Sequence, residues 1–185
     1  TLDLLPNKTS ITVVVPLGLG KYFTKRNYGL VHEVDWYDDV QVGELKVTAY
    51  PAIHWSNRTP FDVNKTLWMS YGLSVGDISL FHTGDTGIHE RTFKDIGIDM
   101  QAKHGGCDVG LLSIGAYSPR SFMRGAHMDP EEGFRVGKQI GCKTMVPMHW
   151  GTFKLSFEPF YEPRDRFVSV AGSSARVMKI GETVL

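Results

Sequence analysis

Apolar runs and apolar–polar alternations divide the 185-residue chain into mostly short strands in its first half and alternating strands and helices in its second. Ser10 to Val15 is a β-branched run closed by Pro16, Gly18 and Gly20, the pattern of a buried strand and its turn. Before it, Pro6-Asn7-Lys8 reads as a turn, and after it Lys21 to Tyr28 reads as a short helix ending near Gly29. Val31 to Trp36 alternates weakly. Val40-Gln41-Val42 and Glu44 to Tyr50 alternate around Gly43, predicting a half-buried strand pair or one bulged strand. In Thr66 to Val75, residues Leu67, Met69, Tyr71 and Leu73 share one parity, and Gly76-Asp77 turns the chain back into Ile78 to Phe81. Phe93 and Ile96, three apart, predict a helix over Glu90 to Ile98, and Cys107 to Ile114 reads as another buried strand. Asp129-Pro130-Glu131-Glu132 is a helix start: an N-cap aspartate, proline at the first helical position, and a glutamate at N3 that reaches back. That helix runs to about Ile140 and ends at Gly141; Lys143 to Met148 is a strand, Glu162 to about Val170 a helix, and Ala175 to Val184 a hairpin around Gly181. The pattern predicts an α/β sandwich, with strands in more than one sheet and helices outside.

Three turns after predicted strands carry chemistry. His54 follows Val47 to Pro51, Asp85 follows Ile78 to Phe81 inside Gly84-Asp85-Thr86-Gly87, and His149 follows Thr144 to Met148. Strand ends present functional groups well, because the sheet fixes the backbone while the loop frees the side chain. Imidazole plus carboxylate suits zinc, manganese or iron, and a carboxylate can bridge two ions. Each residue also has a plainer reading: histidine beside tryptophan as a packed residue, and Asp85 as a turn residue capping neighbouring amides. His127, just before the Asp129 helix start, is placed to bond a phosphate or to give a proton to a leaving group, or is simply a loop histidine. His82 reads as structural, and His32, His89 and His104 as surface residues.

Composition narrows the partners. Twenty basic and 20 acidic residues give a net charge of zero, without the basic excess typical of a nucleic-acid binder. No apolar run reaches the length of a membrane span. The two cysteines, Cys107 and Cys142, lack CxxC spacing and read as two reduced core thiols. The first residue is Thr1 and not Met, so targeting signals upstream are not visible.

Five motifs together resemble the metallo-β-lactamase superfamily, and within it the branch of N-acylphosphatidylethanolamine phospholipase D and its bacterial relatives. They are Gly84-Asp85-Thr86-Gly87, Ile114 to Arg120, His127 to Glu132, His149 to Phe153, and Pro51 to Arg58, with Val15-Pro16-Leu17-Gly18-Leu19 matching the same branch. The resemblance covers nearly the whole chain, residues 1–185, in order. It implies an αββα sandwich with two zinc ions, Mn²⁺ or iron being alternatives. His54 would ligate the first metal and His149 the second, with Asp85 bridging both. A metal-bound hydroxide would attack a phosphodiester or another ester. The implied substrate is a small-molecule or lipid phosphate ester, met in the cytoplasm or at a membrane surface, with Arg120 and Arg124 able to meet its phosphate. The superfamily also contains lactonases, and a non-catalytic piece that completes another chain is a third reading. Two departures stand out. The family's His-x-His-x-Asp-His string does not occur, so the chain is expected to be the C-terminal part of one such domain, with that segment upstream or on a separate chain. Ile88 stands where the branch commonly has tyrosine, which weakens any carry-over of fine specificity.

Overall fold

The computed structural model describes residues 1–183. Among the described residues there are two sheets. β1 (Val13–Pro16) and β2 (Val31–Val34) form a small parallel pair, separated in sequence by α1 (Gly20–Thr24). The main sheet has six strands in sequence order: β3 (Asp39–Val42), β4 (Leu45–Tyr50), β5 (Ser70–Val75), β6 (Ile78–His82), β7 (Cys107–Ser113) and β8 (Cys142–Met148). β3 to β6 are antiparallel neighbours, whereas β6, β7 and β8 are parallel. The parallel connections run through α2 (Glu90–His104), then through α3 (Arg120–Met123) and α4 (Pro130–Ile140); α5 (Glu162–Ala171) follows β8.

The core sits between the main sheet and its helices. Tyr50, Phe81, Leu112 and Met145 from the strands meet Phe93, Ile96, Met100, Val136 and Phe167 from α2, α4 and α5. On the opposite face Val34, Ala49 and Met69 join the two sheets, with Val14, Trp36 and Tyr71 packed around them. Two sheets facing each other with helices on the outside is the mixed α/β sandwich that the alternation predicts.

The direction of the strands places the site. β4 and β6 are each antiparallel to β5, so they are parallel to each other, and β7 and β8 share that direction. The C-terminal ends of β4, β6, β7 and β8 therefore lie along one edge of the sheet, and the loops carrying His54, Asp85, His127 and His149 leave from that edge.

Several expectations are corrected. Cys107 and Cys142 form a disulfide and are not reduced thiols. They are direct register partners in the parallel pair β7–β8, 4.4 Å apart between Cα atoms, a proximity that 35 residues of sequence separation conceals. Thiol titration of the unfolded, unreduced protein should therefore find no free cysteine; two free thiols would contradict the pairing. The expected hairpin over Ala175 to Val184 is absent from its described part: Ala175 makes a single parallel bridge to Met145, and Arg176 donates its backbone N–H to the Met145 carbonyl. The edge of β8 is a better partner for this segment than its own return; Val184 lies outside the described residues.

His104 is corrected as well. α2 continues six residues past Ile98, because Met100 and His104 extend the face buried by Phe93 and Ile96. His104 is buried, between two hydroxyls: Ser74 lies 2.7 Å from Nδ1 and Thr48 2.8 Å from Nε2. The Thr48 hydroxyl donates to Asp39, so it accepts from Nε2–H, and Ser74 donates to Nδ1. This arrangement suits the neutral ring. Burial, aided by Lys46 and Lys103, pushes its pKa below the usual histidine value, against the opposing pull of Asp39 and Asp99. The sign follows: above the unfolded pKa neither state binds the proton, and below it the unfolded chain binds it first. Stability should fall as pH drops below about 6.5. Urea unfolding at pH 7.5 and 5.5 should show a smaller difference in His104→Gln than in the wild type.

Candidate metal centre

His54 lies on the loop after β4, where its Nδ1 is 2.9 Å from the Trp55 carbonyl and the Trp55 ring stacks on it at 4.4 Å. A carbonyl can only accept, so Nδ1 carries the proton and Nε2 keeps a lone pair. That Nε2 is buried and has no hydrogen-bond partner. Holding one ring nitrogen so that the other is free is how proteins prepare an imidazole for a metal.

Asp85 lies in the turn after β6, half-exposed, with Oδ1 3.2 Å from His149 Nε2. His149 follows β8 in a left-handed backbone conformation, with φ of 63°. Its Nδ1 is buried without a hydrogen-bond partner, near the Gly115 backbone but outside hydrogen-bond geometry. The Asp85–His149 contact moves both groups: it holds the Asp85 carboxyl below the usual carboxylate range and raises the His149 imidazole. A β-carbon at Gly115 would collide with the His149 carbonyl, so only glycine lets the loop after β7 lie against this residue.

His127 joins the other two histidines. Its ring centroid is 5.2 Å from that of His54 and 5.5 Å from that of His149, stacked on the latter. Burial first, then the two neighbouring imidazoles, lower its pKa. His82, expected to be structural, is so: its Nδ1 accepts the Gly84 N–H, bracing the turn that carries Asp85.

The two arginines differ. Arg120 donates to Glu132 at 2.6 Å and to the His127 carbonyl at 2.8 Å, and its Nε lies 3.6 Å from Asp129. Its guanidinium is thus committed within the protein. Arg124, with 73% of its side chain exposed, is 3.9 Å from Glu132 and remains open to an anion.

Threonine 86 is a residue whose role the sequence reading missed. It is fully buried, accepts the Ile53 N–H at 2.8 Å through its hydroxyl, and donates that hydroxyl's proton to the Gly87 carbonyl. Its own carbonyl accepts the Met128 N–H at 3.0 Å. Thr86 therefore ties together the loops of His54, Asp85 and His127. The only sequence signal was its place inside Gly84-Asp85-Thr86-Gly87. Thr86→Val leaves the Ile53 amide unpaired in the interior and should cost about 1–3 kcal/mol in urea unfolding, with Thr86→Ser losing less. A second missed residue is Glu158, which accepts the N–H groups of Ala116 and Ser118 and so holds the loop beside His149; 40 residues of separation hide it.

The free Nε2 of His54, the His149 imidazole whose Nε2 faces Asp85, and the Asp85 carboxylate are a donor set of the kind that borderline divalent metals take. Among the described residues, however, no group of three or more His, Cys, Asp and Glu side chains is arranged closely enough to hold an ion on its own. His54, Asp85 and His149 fit as contributors to a larger ligand set.

Strand order, the aligned strand ends and the clustered His–Asp residues define a mixed α/β sandwich with a polar centre at one sheet edge. The chain belongs to the β-lactamase superfamily domain family, whose model matches residues 1–150. It is 34% identical over 177 residues to the mitochondrial N-acyl-phosphatidylethanolamine-hydrolyzing phospholipase D of Saccharomyces cerevisiae, covering 92% of this chain and 37% of that protein. It is 33% identical over 162 residues to N-acyl-phosphatidylethanolamine-hydrolyzing phospholipase D 1 of Caenorhabditis elegans, covering 82% of this chain and 44% of that protein. The chain thus spans less than half the length of these relatives. Among solved structures, Igni18, a metallo hydrolase of Ignicoccus hospitalis, superposes with a TM-score of 0.65 at 22% identity, over 92% of this chain and 66% of that one, which supports the fold.

Proposed function

We propose that this chain supplies the C-terminal part of a metal-dependent hydrolase that cleaves phosphate esters, most simply phosphodiesters. The clustering of the His54, His127 and His149 rings, with Asp85 in contact with His149, carries the reading. Likeness to two phospholipases D favours a phosphodiester among ester substrates. In this proposal His54, His149 and Asp85 would hold metal, Asp85 as a shared ligand, and further donors would come from the rest of the longer protein. Bound zinc, or manganese or iron in its place, would supply Lewis-acid polarisation of the ester and activation of water. The chain's own residues then bind and orient. The Trp55 carbonyl keeps the His54 tautomer, Asp85 keeps its charge beside His149, His127 moves a proton at the leaving oxygen, and Arg124 meets the substrate's phosphate oxygens.

Among the described residues no helix is long and apolar enough to cross a membrane. The deciding experiment is elemental analysis of the purified full-length protein, joined to hydrolysis assays on bis(p-nitrophenyl) phosphate, N-acylphosphatidylethanolamine vesicles and a simple lactone. Metal with phosphodiester cleavage supports the reading. Lactone cleavage alone would replace it with a lactonase. A metal-free, inactive protein would leave a non-catalytic fold.

A further inference from the structure

The helix start at Asp129 contains more than a cap. Asp129 accepts the Glu132 N–H at 2.8 Å, and Glu132 returns to accept the Asp129 N–H at 3.2 Å, completing the capping box that the sequence predicts. Glu132 is nevertheless an unusual capping residue. It is 4% exposed, and Arg120 reaches it from another element at 2.6 Å, with Arg135 3.8 Å and Arg124 3.9 Å away. A glutamate that only capped its own helix could do so from the surface. Burying one costs several kcal/mol, by order of magnitude, unless it is paired.

The arginine that pairs with it has a second arm. Nη1 of Arg120 donates to the His127 carbonyl at 2.8 Å while Nη2 holds Glu132. On its other side, His127 donates its backbone N–H to the Met123 carbonyl at 3.0 Å, and the next residue, Met128, donates to Thr86. The backbone of His127 is therefore fixed on both sides, whereas among the described residues its imidazole has no hydrogen-bond partner and packs against the rings of His54 and His149. A side chain with no bond of its own takes its direction from its backbone.

We propose that Arg120, anchored by the buried carboxylate of Glu132, is a positioning residue that aims the His127 imidazole into the space between His54 and His149. This rests on the phosphoesterase reading only for its kinetic consequence. It reassigns Arg120 from contact with substrate to control of the proton-transfer group. A planar fork suits the task, because it spans a carboxylate and a carbonyl together; lysine offers one point charge and cannot hold both in the same geometry.

The test uses Arg120→Lys and Glu132→Gln in the full-length, metal-loaded protein, with N-acylphosphatidylethanolamine vesicles as probe, because the alkoxide leaving group of that phosphodiester needs protonation. Both variants should lower kcat about 10–100-fold, the usual cost of losing a group that orients a site residue, with KM within about twofold and metal content unchanged. In the metal-free protein, histidine-labelled NMR should show the His127 ring signals, identified by their loss in His127→Gln, displaced in both variants while those of His104 stay in place. A raised KM with kcat held and His127 signals unmoved would make Arg120 a substrate contact and overturn the proposal. Lowered stability with kcat and the His127 signals unchanged would make the pair a fold brace and overturn it too. If the wild type does not cleave this probe, the NMR comparison decides the positioning role, and if it cleaves neither this probe nor bis(p-nitrophenyl) phosphate, the function proposed above fails. If Glu132→Gln does not fold, Arg120→Lys, which keeps the ion pair, decides alone.

Discussion

Asp85→Ala in the full-length protein should bring phosphodiester hydrolysis close to background and lower metal content in the same preparation. Asp85 projects from the end of β6 with its Oδ1 3.2 Å from His149, a contact that holds its carboxyl below the usual carboxylate range. Alanine removes the charge, the candidate shared ligand and the acceptor that orients the His149 ring. Losing one preorganised electrostatic partner from an active site typically costs ~10²–10³ in kcat, and a carboxylate serving two ions should cost at least that. Asp85→Asn separates the contributions: it keeps the shape and a hydrogen-bonding oxygen for His149 but not the charge, and should lose metal as well. The fold should survive both changes, since the side chain is half-exposed. Elemental analysis beside kcat is the check. Full metal occupancy in Asp85→Ala would falsify the shared-ligand role.

How far the sequence foretold this arrangement depends on how local each signal is. The Asp129–Glu132 capping box spans four residues and is as predicted, down to its reciprocal bonds. The Gly76-Asp77 turn lies between two strands whose parity was readable, and β5 and β6 pair across it. The turns of His54, Asp85 and His149 were legible because each follows a strand. What joins them was not. That β4 and β6 are parallel, so that their ends share an edge, depends on β5 lying between them, which no local pattern encodes. The disulfide depends on the β7–β8 register, and the burial of His104 on where α2 crosses β4 and β5, as its contacts with Thr48 and Ser74 show. Arginine 120 is the clearest case. Its residue type fits a phosphate as well as it fits Glu132, and only the packing of α3 against the start of α4 decides which it meets. Hydrogen bonds between distant segments assign polar side chains their partners, and composition or spacing cannot do so.

His127→Ala should separate chemistry from metal binding. The ring is half-buried, stacked on His149 and at right angles to His54, yet it has no hydrogen bond to lose. Burial and the two neighbouring imidazoles lower its pKa, so a proton it acquires is readily given up, a property suited to assisting a leaving oxygen. Removing a positioned acid–base group costs ~10²–10⁴ in turnover, and kcat should fall by that order while metal content stays at the wild-type level. The leaving group gives a second reading of the same variant. A good leaving group such as p-nitrophenolate needs little protonation, whereas an alkyl alkoxide needs much. The deficit should therefore be small on bis(p-nitrophenyl) phosphate and large on a phosphodiester with an alkyl leaving group. An equal deficit on both substrates would count against proton donation, and loss of metal from His127→Ala would place the imidazole among the ligands instead.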